Sequence, residues 1–212
     1  MTSPPSPMTE KELVQASEAL AARDSDLART LDRLGPPPLW DRTPGFPTLV
    51  HIILEQQVSL ASARAAFDKL VARVDPLEPA TFLELEDSEL IAIGFSGQKG
   101  RYCRELAKAV LDGSLDLVGL QTAADDRVRT ELVKVTGIGR WTADIYLLMA
   151  LGRPNILPRG DLALHKAVQD IKGLEAPPTQ TIFEELGDSW RPWRSVAARI
   201  LWNHYLNPPT TR

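Results

Sequence analysis

A single cysteine, Cys103, among 212 residues leaves no intrachain disulfide and no four-cysteine zinc or iron-sulphur cluster within the chain. Whatever chemistry the chain performs falls to its side chains, to water or to a weakly held ion. Long apolar runs are missing too: nowhere do eighteen apolar residues follow one another, as a membrane-spanning helix requires. Basic charge is in short supply, with 24 Lys and Arg against 28 Asp and Glu, and the net charge of -4 argues mildly against a nucleic-acid partner. Strand signals are scarce, since no stretch alternates apolar and polar residues for long. The Ser/Pro-rich start, Met1 to Met8, lacks the basic-then-apolar order of a signal peptide, so a disordered tail on a cytoplasmic protein is expected.

What the chain does have is helix punctuation. Thr9 and Glu12 form a capping-box pattern ahead of Leu13, Ala16, Leu20 and Leu27. Pro47 is placed to start a helix whose apolar positions Leu49, Ile52, Ile53, Val58, Leu60, Ala63, Phe67 and Leu70 recur near the helical period. Further helices are expected at 79–85, 87–93, 98–112, 115–121, 125–134, 139–151, 161–172, 178–186 and 191–205, with prolines and glycines between them. The fold class is therefore all-α. A chain of this size buries roughly 70% of its unfolded surface and supports a proper core. The proline-rich stretch Gly35 to Pro47 reads as a connector, and the many short helices suggest two helical lobes over residues 9–212 with a groove at their seam. Charge is segregated along the chain. Six acids lie between residues 75 and 98 without Lys or Arg, whereas Ser189 to Tyr205 carries Arg191, Arg194 and Arg199 without an acid, and Gln98 to Arg104 carries Lys99, Arg101 and Arg104. An acidic back and a basic front are expected from this, although ordinary solvated helix faces give the same pattern. His51, His165 and His204 lack metal-ligand spacing.

The most informative stretch is Val135-Thr136-Gly137-Ile138-Gly139, between two helical patterns. Two glycines two apart are expected to take positive φ and bring bare amides to the N-terminus of the second helix, a setting that suits a phosphate. Ile138 between them is expected to plug back onto the helix pair. Twenty-two residues after Gly139, Pro158 and Gly160 break the chain and Asp161 takes the N-cap position of an apolar-periodic helix (Leu162, Leu164, Ala167, Val168, Ile171). Alone, that aspartate reads as a helix cap and the glycine pair as a tight turn.

Together with Trp190-Arg191-Pro192-Trp193-Arg194-Ser195-Val196-Ala197, the runs Gly137-Ile138-Gly139-Arg140-Trp141-Thr142-Ala143-Asp144 and Leu157-Pro158-Arg159-Gly160-Asp161 resemble the helix-hairpin-helix DNA glycosylases, specifically the bacterial 3-methyladenine DNA glycosylase II branch. The likeness extends from about Phe46 to Tyr205, and it implies a minimal form without the N-terminal sheet domain. It makes Asp161 the catalytic carboxylate. It places a wedge side chain at Gln57, with Gln56 as the alternative, where close relatives carry an apolar residue. Trp141 and Trp202 match aromatic residues of the base pocket, and Ile145 is aliphatic where the close relative has a ring. Gly137, Ile138, Gly139, Arg140, Gly97, Lys99 and Arg101 match contacts to the DNA backbone. The resemblance also brings a monovalent cation, Na+ or K+, on the backbone carbonyls of Val133, Val135 and Ile138; it requires no other cofactor, and the cysteine count excludes an iron-sulphur cluster.

Bifunctional relatives carry a lysine at the position of Trp141, and this chain has none from 135 to 165, so a monofunctional hydrolase that leaves an abasic site is expected. An N3- or N7-alkylated purine is already cationic and needs no general acid to leave, which fits aromatic walls. The resemblance thus implies a monomeric, nucleoid-associated bacterial enzyme acting on alkylated purines in double-stranded DNA. Two other readings keep the fold: a glycosylase for deaminated bases such as hypoxanthine or uracil, and a non-catalytic module that grips DNA with its hairpin.

Overall fold

A computed structural model describes residues 6–209, and among them every regular element is helical. No helix of the described residues is long and apolar enough to cross a membrane. The described chain divides into two compact units, one of residues 42–151 and one assembled from residues 6–41 and 152–209. The first passage between them, at Asp41 and Arg42, falls inside the proline-rich connector.

Helix α1, Glu10–Ala21, opens on the expected capping box: the Thr9 hydroxyl accepts from the Glu12 N–H while the Thr9 N–H donates to Glu12 Oε2 at 2.8 Å. Of the expected tail, residues 1–5 lie outside the described residues. Met8 is buried and its N–H donates to the Gly152 carbonyl at 3.0 Å, so it does not belong to the expected tail. The apolar row Leu13 to Leu27 does not lie on one helix as its period suggested. Helix α1 stops and α2, Ser25–Leu34, starts afresh on Asp24, which accepts from Asp26 N and Leu27 N. That carboxylate also takes the Trp190 indole N–H at 2.9 Å and the Lys172 ammonium at 3.2 Å. Burial pushes the Asp24 carboxyl up, but the indole and the ammonium outweigh it and hold it below the usual range.

The 42–151 unit is built around α3, Phe46–Glu55, which buries Phe46, Thr48, Leu49, Val50, Ile52, Ile53 and Leu54. Each fully buried large aliphatic side chain is worth roughly 1.5–3 kcal/mol relative to exposure, so this helix holds a large share of the unit's stability. The single helix expected to run from Pro47 to Leu70 is broken: α3 ends at Glu55, and α4, Leu60–Arg73, begins on the Ser59 cap. Val58 and Leu60, apolar and in phase, are half exposed as a result. Next come α5 (Pro79–Leu83), α6 (Asp87–Ile93), α7 (Gly97–Leu111), α8 (Leu117–Leu120), α9 (Asp125–Leu132) and α10 (Arg140–Ile145). Helix α10 widens into a π-turn over Tyr146–Ala150, whose Tyr146 hydroxyl accepts the Gly45 N–H. Helices α4, α7, α10 and the π-turn all pack on α3.

The other unit adds α11 (Leu162–Lys172), α12 (Gln180–Asp188) and α13 (Arg194–Leu206) to α1 and α2. Helix α13 is buried continuously from Ser195 to Trp202 and packs on α1, α2 and α11. The Ser195 hydroxyl donates to the Arg153 carbonyl at 2.6 Å and accepts the Ile156 N–H at 2.9 Å, fixing the loop that leads to Asp161. Gly187 of α12 lies close against the same loop, where an added Cβ would stand 2.4 Å from the end of the Leu157 side chain.

The basic front expected from charge segregation does not form as drawn. Arg199 is 1% exposed and donates to the Leu39 carbonyl at 2.6 Å; burial brings its pKa down to about 10. Arg194 holds Asn155, and Arg104 reaches the Leu85 carbonyl and Asp87. Of the six cations, Arg101 and Arg191 remain at the surface, and Arg191 pairs with Asp188.

Candidate active site and nucleic-acid interface

In the 42–151 unit the turn after α9 reverses the chain over Val133 to Gly139. Val135 accepts from the Ile138 N–H at 3.0 Å, which closes the turn, and Ile138 is 4% exposed, plugged back as expected. The two glycines differ. Gly137 takes φ +94°, and an added Cβ would sit 2.1 Å from Tyr102 Cγ, so both its backbone and its neighbour demand glycine. Gly139 is extended at φ -90° and ψ 178°, contrary to the expectation of positive φ, and an added Cβ would meet nothing within 4 Å. It caps α10 with open space beside it. Val133 is half exposed, whereas Val135 is buried.

A charge cluster that sequence reasoning missed joins the two helices of the hairpin. Asp144 is 0% exposed, and it accepts from Arg129 Nε of α9 at 2.7 Å and from Arg140 Nε of α10 at 3.1 Å. Arg129 also reaches Asp126 at 2.9 Å. The Arg140 to Asp144 spacing of i,i+4 is visible in sequence, but the Arg129 partner is not. Half of the Arg140 side chain remains exposed beside the Gly139 amide end. Trp141 is half-buried, and Ile145 is 2% exposed, within the apolar interior of its unit.

The break between α3 and α4 separates the two wedge candidates. The Gln56 amide donates to the Gly137 carbonyl and to Thr142 Oγ1, each at 3.0 Å, and its side chain is half-buried. Gln57 is exposed and sits at φ +58°, a left-handed backbone that costs a non-glycine residue about 1 kcal/mol. Glu55, two residues before it, is held bidentately by Arg42 at 2.7 and 3.0 Å. The loop after α6 behaves differently from its expectation as a simple phosphate grip. Ser96 caps α7 by accepting the Lys99 N–H, Gly97 and Arg101 are exposed, but the Lys99 ammonium donates to the Leu54 carbonyl at 2.6 Å. Burial pushes the Lys99 ammonium below the ordinary lysine value.

In the other unit, Asp161 is 7% exposed and caps α11, its Oδ1 accepting the Leu164 N–H at 3.0 Å. The same oxygen accepts the indole N–H of Trp202, itself 8% exposed, at 3.4 Å. Cap and indole fix the carboxylate from two sides. The preceding turn is clamped as well: Gly160, at φ +71°, donates its N–H to Gln180 Oε1 at 3.0 Å, and Arg159 pairs with Glu184 at 2.6 Å. Leu162, next to the aspartate, is 84% exposed. This anchored, largely desolvated carboxylate can stabilise a cation developing beside it, because its charge interacts in a low-dielectric setting and needs no reorganisation.

Known proteins resemble this chain over most of its length. A putative DNA-3-methyladenine glycosylase of Bacillus subtilis, YfjP, is 28% identical over 162 residues, 73% of this chain; the chain spans 56% of that relative's length. The structure of a Bacillus halodurans DNA-3-methyladenine glycosidase superimposes with a TM-score of 0.75 at 28% identity, covering 90% of this chain and 88% of that one. The Schizosaccharomyces pombe 3-methyladenine DNA glycosylase Mag1, solved with abasic DNA, gives 0.87 at 21% identity, covering 93% of this chain and all of that one, a likeness of fold. Residues 50–192, which hold the hairpin and the capping aspartate alike, match the model of the HhH-GPD superfamily of base excision DNA repair proteins, and the chain belongs to that superfamily.

Proposed function

We propose that the chain is a monofunctional DNA glycosylase that hydrolyses the N-glycosidic bond of alkylated purines and leaves an abasic site. The observation that carries this is the Asp161 carboxylate, anchored by the Leu164 N–H and the Trp202 indole on a residue that is 7% exposed. As the base departs, the sugar gains oxocarbenium character, and a fixed carboxylate stabilises that charge while water attacks C1′. Base and sugar must first leave the stack, at a cost of a few kcal/mol, and a side chain must fill the gap. Gln57, exposed on its left-handed reversal, is the wedge of this proposal.

The amide end at Gly139, with open space where a side chain would stand, and the half-exposed Arg140 support a phosphate grip. Gly97 and Arg101, exposed at the start of α7, are proposed as a second contact to the backbone. A monovalent cation on the carbonyls of Val133, Val135 and Ile138 belongs to the same proposal; the tight reversal at Gly137 brings these backbone groups onto one turn, and the ion would supply positive charge toward a phosphate. Trp141 and Trp202 offer aromatic faces to a cationic base, worth about 0.5–2 kcal/mol. Lysine is absent from 135 to 165, which supports hydrolysis rather than strand cleavage. The names of the relatives favour alkylated bases, and the abasic-DNA complex of Mag1 supports DNA as the partner; a double-stranded substrate and a single copy acting at the nucleoid are part of the same proposal.

The test is release of 3-methyladenine and 7-methylguanine from methylated duplex DNA by the intact chain, with the product run on denaturing gels before and after alkali. Free base and nicks only after alkali are expected. No free base from this substrate sinks the alkyl-purine reading, and nicks without alkali sink monofunctionality.

A further inference from the structure

Three loops of the 42–151 unit are tied to one another by contacts that neither the family assignment nor the proposed chemistry requires. Gln56 spans the hairpin, donating to the Gly137 carbonyl on the turn and to Thr142 Oγ1 in the first turn of α10, and Thr142 is 1% exposed. Two residues earlier, the Leu54 carbonyl takes the Lys99 ammonium of α7 at 2.6 Å. From α7 as well, Tyr102 lies against Gly137 so closely that a Cβ there would overlap its ring, and its hydroxyl meets the Gln98 amide. The reversal at Gln57, the hairpin and the start of α7 are therefore braced as a triangle. The left-handed residue stands free at its exposed corner.

We infer that Gln56 is a positioning residue that couples the hairpin's grip to insertion of the Gln57 loop, so that seating a phosphate at the hairpin presents the wedge already shaped. The inference rests on the proposed reading that this loop enters the duplex. It assigns Gln56 and Gln57 different jobs: one holds, the other inserts. A pre-shaped wedge spares the ordering of a flexible loop at the moment the base is extruded. Loss of the brace accordingly slows extrusion more than it weakens binding to an undamaged duplex.

The test uses the full chain and two substitutions, Gln56→Met, which keeps length and removes both donated bonds, and Thr142→Val, which removes one acceptor from the other side. Insertion is read by fluorescence of 2-aminopurine placed beside a tetrahydrofuran abasic analogue, and chemistry by single-turnover release from a methylated duplex. For Gln56→Met the release rate is expected to fall on the order of 10- to 100-fold, with the fluorescence rise lost and affinity for undamaged duplex within about threefold. A damaged base in an unpaired bulge, where extrusion costs little, restores the rate to within about threefold of wild type. The double variant loses less than the product of the single losses, because both substitutions break one contact.

A fluorescence rise in Gln56→Met equal to wild type overturns the inference. So does a rate defect that persists undiminished on the bulge, which marks a merely structural role. Should the wild type show the fluorescence rise but release no base, the proposed substrate fails while the brace stands or falls on the fluorescence alone.

Discussion

Replacing the two hairpin glycines one at a time separates folding from ligand contact. At Gly137 an alanine must adopt φ +94°, which costs about 1–2 kcal/mol for a residue with a Cβ. That Cβ would also stand 2.1 Å from Tyr102 Cγ and 2.5 Å from Tyr102 Cβ, atoms at the root of the side chain that cannot swing away without moving α7. Overpacking of this kind costs about 1–3 kcal/mol, so Gly137→Ala is expected to lose about 2–5 kcal/mol in urea denaturation. The corresponding fall in Tm is roughly 4–20 °C for a chain of this length. Gly139→Ala meets neither penalty, since the backbone there is extended and nothing lies within 4 Å; its stability should stay within about 0.5 kcal/mol of wild type. Its effect is expected in duplex affinity, measured by fluorescence anisotropy, because the methyl occupies the space proposed for phosphate. Equal loss of stability in the two variants, or a loss under about 1 kcal/mol for Gly137→Ala, refutes the assignment of different duties to them.

The buried cluster that joins the hairpin helices should behave asymmetrically. Asp144→Ala takes from the largely buried Arg129 its buried partner and leaves it the exposed Asp126, an expected cost of about 3 kcal/mol in thermal denaturation, whereas Arg140→Gln, at a half-exposed partner, should cost under about 1 kcal/mol. Asp24 gives the other unit an acid sensitivity: its carboxyl is held below the ordinary range, so its stabilisation is complete above about pH 4 and drains away as pH falls through the lowered value. Asp24→Asn is expected to be less stable at pH 7 and to show a flatter stability profile in acid, measured by urea denaturation across pH; a profile parallel to wild type contradicts this.

Helix existence was legible in the sequence wherever a local signal set it. Thr9 with Glu12 and the Pro158, Gly160 and Asp161 stop-and-start are short-range devices, and the structure uses them as read. The break between α3 and α4 was not legible, because no proline or glycine marks it and Val58 and Leu60 continue the apolar period. It coincides with long-range bonds, Gln56 to the hairpin and Lys99 to the Leu54 carbonyl, which no window of neighbours contains. The restart at Asp24 pairs a local cap with distant partners in Lys172 and Trp190, and it was not read because the apolar period from Leu13 to Leu27 runs through it. Charge pattern misled for a similar reason: Arg199 follows a basic run but satisfies buried carbonyls instead of facing solvent. For the site, the sequence placed Asp161 at a helix cap, and the structure adds the Trp202 indole that holds the same oxygen.

Asparagine is as good a helix N-cap as aspartate, so Asp161→Asn keeps the bond to the Leu164 N–H and removes the charge with little change in stability. Single-turnover release of 3-methyladenine from methylated duplex DNA by wild type and Asp161→Asn therefore separates the charge of Asp161 from its role as a cap. Release by the wild type, a loss of at least about 100-fold in the variant and duplex affinity within a few fold are expected; release by Asp161→Asn at the wild-type rate rules out a catalytic charge at Asp161.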